Sequence, residues 1–354
     1  MRYSCSIYLR FLGVLMSESN IKVAVTGVGG GVGQSIIKSL KDTNYEVVAL
    51  DGEALATGLY AASKSYIIPY SSAPNYIEEL LRICEEEKCQ FLFPGLDAEL
   101  PILTANVDRF KTIGTTVIVS SAKVVEIGNN KMVTYTELSK YGLNVPMTLD
   151  MSVKNSSDID LSYPYILKQR EGGARSQNLY LIKNTHDLDA LIEKGIEIKD
   201  FIAQEYIEGD EYTCGSVNLA DECKGVIVMR RILRDGDTYK CFSVKNAQIE
   251  NEVRKAMNAI KPYGACNVQL RVRDGVVYIF EINARCSGTT AARALCGFNE
   301  PEMILDYLVN DVEPAYEIVE QTILRYWKEL VVQNDEIDHL SKFKTATLNV
   351  TRQL

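Results

Sequence analysis

The chain has 354 residues, 46% of them hydrophobic and 24% charged, a composition ordinary for a globular protein and a length that accommodates two or three packed units. Its formal charge of −9 argues against a nucleic-acid partner, because binders of a phosphate backbone carry a basic face. Nine scattered cysteines without a CxxC pair, and only two histidines, His186 and His339, leave zinc, dithiol and imidazole-dependent hydrolytic chemistry without material.

The first residues, "MRYSCSIYLRFLGVLM", look like a short signal segment, but Arg10 interrupts the apolar run and no small-residue cleavage site follows. No run is long enough to span a bilayer; residues 1–19 read as a disordered extension, or as an upstream start with Met16 the working one, of a cytoplasmic protein with reduced thiols.

Regular patterning begins at Ile21. "IKVAVTG" reads as a strand, "VGGGVG" as a glycine turn and "QSIIKSLKD" as an amphipathic helix. "YEVVALD", "CQFLFPG" and "TTVIVSS" read as further strands, with "NYIEELLRICEEEK" as a helix among them. This alternation predicts a parallel, doubly wound sheet up to about residue 120. Beyond it, "NKMVTYTELSKYG" reads as a helix, and "PYILKQREGGARSQNLYLI" as two strands around a glycine-rich loop. "IAQEYIEGDEYTCGSVNLA" and "CKGVIVMRRIL" read as strands, and "ENEVRKAMNAIKPYG" as a helix closed by Gly264. "NVQLRVRDGVVYIFEIN" reads as a hairpin through Asp274-Gly275. The second half is therefore α+β with antiparallel pairing. Residues 316–354, with Trp327, read as a C-terminal cap or interface helix.

Two motifs suggest a dinucleotide. Gly27, Gly30 and Gly33 fit the GxxGxxG spacing of short-chain dehydrogenases, with Asp51 placed for a ribose hydroxyl and "YAASK" imitating a catalytic Tyr/Lys pair. The Tyr60/Lys64 pair follows the second strand directly, whereas such enzymes carry it far downstream. The glycines are better read as a tight strand-to-helix turn.

The segment "YIFEINARCSG" places Glu281, Asn283 and Arg285 at alternate positions, on one side of a strand. The hairpin brings Gln269 near them. A plain two-residue turn would set Gln269 opposite Phe280, on the wrong face, so the cluster requires a three-residue loop or a bulge near Gly275. One carboxylate and two amide carbonyls suit a hard cation that shares phosphate oxygens. Alone, such a row is equally the polar outer face of an edge hairpin.

"NVQL…FEINARCSG" resembles the metal-binding segment of the ATP-grasp superfamily, closest to its carbamoyl-phosphate synthetase and biotin carboxylase-type members, and the rest of the pattern follows in order from Ile21 to about residue 310. The resemblance implies a Rossmann-like pre-ATP-grasp domain over 20–120, followed by a two-lobed ATP-grasp fold. Its small lobe would cover 121–200 and its large lobe 201–315, with a C-terminal extension over 316–354. It further implies ATP with Mg2+ (or Mn2+). Lys131 and Lys168 would face the α- and β-phosphates, with Gly172 and Gly173 in a loop closing over them. The backbone at Glu205 and Ile207 would meet the adenine edge, and Glu211 the ribose. Gln269, Glu281 and Asn283 would be the metal ligands, and Lys168 and Arg285 would cover the transferring phosphate. Either Arg230 or Arg231 could grip an acceptor carboxylate, with Arg230 preferred.

The implied reaction is activation of a carboxylate as an acyl phosphate, then displacement by an amine, with ADP and phosphate formed. The partners are then a small-molecule carboxylate and an amine, without nucleic acid or membrane, and a homodimer is compatible. The chain is too short for a full carbamoyl-phosphate synthetase, and Gly288 stands where that motif has another arginine. A stand-alone carboxylate–amine ligase is therefore the first reading, and a carbamoyl-phosphate-type enzyme with a partner subunit the second. From other classes come an NAD(P)-dependent oxidoreductase using the Gly27–Gly33 loop, and a non-catalytic ATP sensor.

Overall fold

The computed structural model describes residues 21–154, 158–172, 178–348 and 352–354, so the expectation for residues 1–19 lies outside them. The first sheet is built from β1 (Ile21–Val25), β2 (Tyr45–Asp51), β3 (Lys64–Ile67), β4 (Cys89–Phe93) and β5 (Thr116–Val117), all parallel, in the order β3-β2-β1-β4-β5. Parallel strands covered by helices on both faces read as apolar runs, which is why "VAV", "VVAL" and "FLF" were legible. β3 was not: it is the "KSYI" that follows the decoy Tyr60. The Tyr60 hydroxyl donates to the Ala54 carbonyl (2.7 Å), while Lys64 lies on β3 beside Glu87 (3.6 Å). The two share no helix face, and the dehydrogenase pair disappears.

A four-stranded sheet follows, with β6 (Thr148–Asp150), β7 (Tyr165–Gln169), β8 (Leu179–Ile182) and β9 (Phe201–Glu205) in the antiparallel order β6-β9-β7-β8. The largest sheet contains β10 (Glu211–Leu219), β11 (Glu222–Arg234), β12 (Asp237–Ser243), β13 (Gly264–Arg273), β14 (Val276–Asn283) and β15 (Thr322–Leu324), ordered β14-β13-β10-β11-β12-β15. One face of it packs Val228, Cys266, Val268, Leu270, Ile279 and Ile282 against Val253 and Met257 of the Ala247–Ile260 helix. That helix ends at Lys261 in the left-handed region, with its N–H on the Met257 carbonyl (2.7 Å); Gly264 opens β13 rather than closing the helix.

The C-terminal segment departs from the expected single helix. It adds β15 to the edge of the large sheet, leaves Trp327 86% exposed, and forms a helix only at Asn334–Phe343. It then returns as β16 (Thr345–Thr347), antiparallel to β3 at the edge of the first sheet. Leu340 is fully buried in the core shared with Tyr60 and Ile37. Leu340→Ala is therefore expected to lower the unfolding free energy by about 2–5 kcal/mol, measured by urea titration. A loss below about 0.5 kcal/mol would mean the tail does not unfold with the first sheet. Among the described residues, no helix is long and apolar enough to cross a membrane.

Candidate active site

The β13–β14 hairpin sets the geometry. Asp274 and Gly275 both take positive φ (50° and 76°), which makes a two-residue turn with Arg273 opposite Val276. The expected correction of register is present, but not beside Gly275. The pairing shifts between Gln269 and Leu270: Leu270 faces Ile279, Gln269 faces Glu281, and Phe280 is the extra residue. A bulge bends the strand and lets two successive side chains share a face. Here it brings Glu281 level with Gln269 and leaves Phe280 beneath the Lys168 ammonium, 5.3 Å from the ring centre.

Gln269 Nε2 and Asn283 Nδ2 both donate to Glu281 Oε1, at 3.0 and 3.1 Å. The donor set is one carboxylate and two amides converging on a single oxygen; turning the amides exchanges N–H for carbonyl oxygen, so these residues fit a hard cation. Among the described residues, no group of three His, Cys, Asp or Glu offers a competing metal site. Arg285 lies beyond the strand end rather than in the row. Its guanidinium pairs with Asp97, the first residue of a short 3-10 helix after β4, and donates to Asn283 Oδ1 (3.3 Å) and to the Cys286 carbonyl (2.7 Å).

Lys168, on β7, is only 6% exposed. Burial pushes its ammonium down to about 8, and neighbouring Lys131 adds to this, while the charges of Glu281 and Glu211 oppose it. Lys131, the first residue of its helix, donates from Nζ to the Gly172 carbonyl (2.8 Å). Gly172 has φ +68°, which favours glycine; Gly173 lies outside the described residues.

Three expectations change. Glu211 is not a free ribose acceptor here: Arg231 grips Oε1 (2.6 Å) and Arg271 grips Oε2 (2.7 Å). Burial raises its pKa, but the two guanidiniums outweigh this and hold the carboxyl below its usual range. Arg230 is on the wrong surface. It pairs across strands with Tyr212, whose neighbour Leu270 belongs to the helix-covered core, and it stacks 4.4 Å from Phe242. Arg231, one residue along, faces the site and donates to Gln269 Oε1 (2.7 Å). At the expected adenine strip, Glu205 N–H donates to the Met147 carbonyl (2.8 Å) and the Ile207 carbonyl accepts from Arg271 (3.1 Å), so these two groups are engaged within the chain.

Sequence reasoning also missed Thr213, Asn267, Arg293 and Glu300. Thr213 and Asn267 lie on the face of Gln269 and Asn283 by register alone. The one legible signal was a charged Arg293 amid the small apolar residues of "TTAARALCG". At the glycine turn, Asp51 accepts from Gly29 N–H (2.7 Å) and Glu53 N–H (3.0 Å), so its carboxylate closes the turn rather than awaiting a ribose.

Residues 23–118 match the family described as PylC-like, N-terminal domain, and residues 197–329 match ATP-grasp in the biosynthetic pathway with Ter operon. The chain is 24% identical over 303 residues to the carbamoyl phosphate synthase large chain of Caldanaerobacter subterraneus subsp. tengcongensis, a match covering 76% of this chain and 27% of that one. It thus spans little more than a quarter of that relative. Its fold resembles an N5-carboxyaminoimidazole ribonucleotide synthetase in complex with ADP (TM-score 0.69, 14% identity, 85% of this chain and 79% of that one). It also resembles an L-amino acid ligase from Bacillus licheniformis (TM-score 0.64, 17% identity, 81% and 74%).

Proposed function

We propose that this chain is an ATP-grasp enzyme, an ADP-forming ligase that activates a carboxylate as an acyl phosphate and joins it to an amine. The observation that carries this reading is the bulged hairpin, where Gln269, Glu281 and Asn283 meet on one face with Lys168 close enough to feel the Glu281 charge.

The carboxylate oxygen of the acid attacks the γ-phosphorus and ADP leaves. The amine nitrogen then attacks the acyl carbon, phosphate leaves, and the nitrogen loses a proton. Both partners of the first step are anions, so the side chains must lower charge repulsion. Glu281, Asn283 and Gln269 would hold Mg2+, which supplies charge neutralisation for the triphosphate. Lys168 supplies a compact, dehydrated positive charge beside them, and Lys131 a second. Arg285, anchored by Asp97 and Asn283, presents its guanidinium next to the row. Arg231, held between Glu211 and Gln269, replaces Arg230 as the guanidinium for an acceptor carboxylate. The scheme uses no side-chain nucleophile, which accords with two histidines and with free cysteines that are buried among the described residues. We place the reaction in the cytoplasm, with small-molecule partners.

A phosphate-release screen of pooled carboxylic acids and amines with Mg-ATP tests this reading. Release is expected only when an acid and an amine are supplied together. Release that depends on neither, or NAD(P) turnover without ATP, would contradict it.

A further inference from the structure

The largest fully buried side chain among the described residues is an arginine, Arg293, in the Thr290–Leu295 helix. It pairs through Nη1 with Glu300 Oε1 (2.7 Å), and both residues have 0% exposure. A buried ion pair is a poor stabilising device, because dehydrating two charges offsets their attraction. This one also leaves Arg293 Nε buried without a hydrogen-bond partner.

Its contacts instead lead to the cation face. Arg293 Nη2 donates to Asn267 Oδ1 and to Thr213 Oγ1 (3.1 Å), and Thr213 Oγ1 donates to Asn267 Oδ1 (2.7 Å). Asn267 stands directly opposite Asn283, and Thr213 directly opposite Gln269. On the other side, Thr290 Oγ1 donates to Glu300 Oε2 (2.6 Å) and accepts from Ser287 N–H (3.1 Å), in the loop that follows Arg285. Gly215, opposite Asn267, leaves room for the pair: a Cβ there would stand 2.3 Å from Glu300 Oε1 and 2.5 Å from Arg293 Nη1.

We propose that Arg293 and Glu300 are a positioning pair, fastening the strands that carry Gln269 and Asn283 and the loop beside Arg285 into one rigid cation-binding face. This rests on the ligase reading only through its assignment of that face to a nucleotide-bound divalent cation. Outer supports of this kind typically change metal affinity by about 10–100-fold when removed.

The test uses the full chain with Mn2+ and ADP, the free Mn2+ being followed by electron paramagnetic resonance, and a thermal melt beside it. The double variant Arg293→Met/Glu300→Leu removes both charges together, so no lone buried ion remains. It is expected to melt close to the wild-type temperature while binding Mn2+ about 10-fold or more weakly. Arg293→Lys, keeping Glu300, is expected to recover part of that affinity. If the double variant does not fold, Thr213→Val removes that hydroxyl's two hydrogen bonds, to Asn267 and from Arg293, without touching a charge, and is expected to weaken Mn2+ binding about 3-fold or more. Wild-type Mn2+ affinity in whichever variant folds would overturn the positioning role and leave the ligase reading intact. A wild-type chain that binds no Mn2+ with ADP would overturn the cation assignment, and this proposal with it.

Discussion

Glu281→Gln is expected to cut acid- and amine-dependent phosphate release by about 10³-fold or more while leaving the fold in place. Glu281 is the only carboxylate of the Gln269, Glu281, Asn283 row, and its Oε1 accepts from both amides. Glutamine keeps that oxygen, the shape and both hydrogen bonds, and removes only the negative charge. The Glu281 charge also favours the buried Lys168 ammonium, so the variant should still melt cooperatively but at a lower temperature than wild type, whereas dependence on divalent cation should vanish. The measurement is initial rate against Mg2+ concentration. A variant that keeps its rate within about 3-fold would remove the carboxylate from the charge balance that phosphoryl transfer requires.

Lys168→Met is expected to give the second largest loss, about 10²-fold or more in kcat/KM for ATP. Its ammonium is buried above Phe280 and pushed down to about 8, chiefly by dehydration. Since kcat/KM reports the free enzyme, the wild-type profile should fall as pH rises through about 8, and the variant should lack that limb. Stability should respond in the opposite sense. The folded-state pKa lies below the ordinary 10.5, so between about 8 and 10.5 the unfolded chain binds more protons, and folding strengthens as pH rises. Below that window the folded state carries the full penalty of a buried ammonium, which methionine removes. Lys168→Met should therefore be at least as stable as wild type at neutral pH while being far less active. A less stable variant, or an unchanged pH profile, would mean that Lys168 serves packing rather than phosphate.

Much of this was legible in the chain because periodicity and local chemistry agree. The parallel strands read as apolar runs, and the turn at Asp274-Gly275 has the residues that a two-residue hairpin demands. The need for a bulge was also legible, since without one Gln269 and Glu281 fall on opposite faces; its position at Phe280 was not, because nothing local distinguishes a bulge there from one at the turn. Arg230 and Arg231 are adjacent and chemically identical, and only the register of β10 against β11 sends Arg231 to the site. Glu211 looked free because its partners, Arg231 and Arg271, are 20 and 60 residues away. The tail was unreadable for the same reason: β16 acquires its meaning by pairing with β3, nearly the whole chain earlier.

Anomalous diffraction from a crystal grown with Mn2+ and ADP would settle most directly where the nucleotide phosphates sit. A manganese peak within about 2.0–2.6 Å of a Glu281 carboxylate oxygen, with the diphosphate between it and Lys168, is the predicted result. Diphosphate lying on the Gly27–Gly33 turn, with no manganese at Glu281, would contradict it.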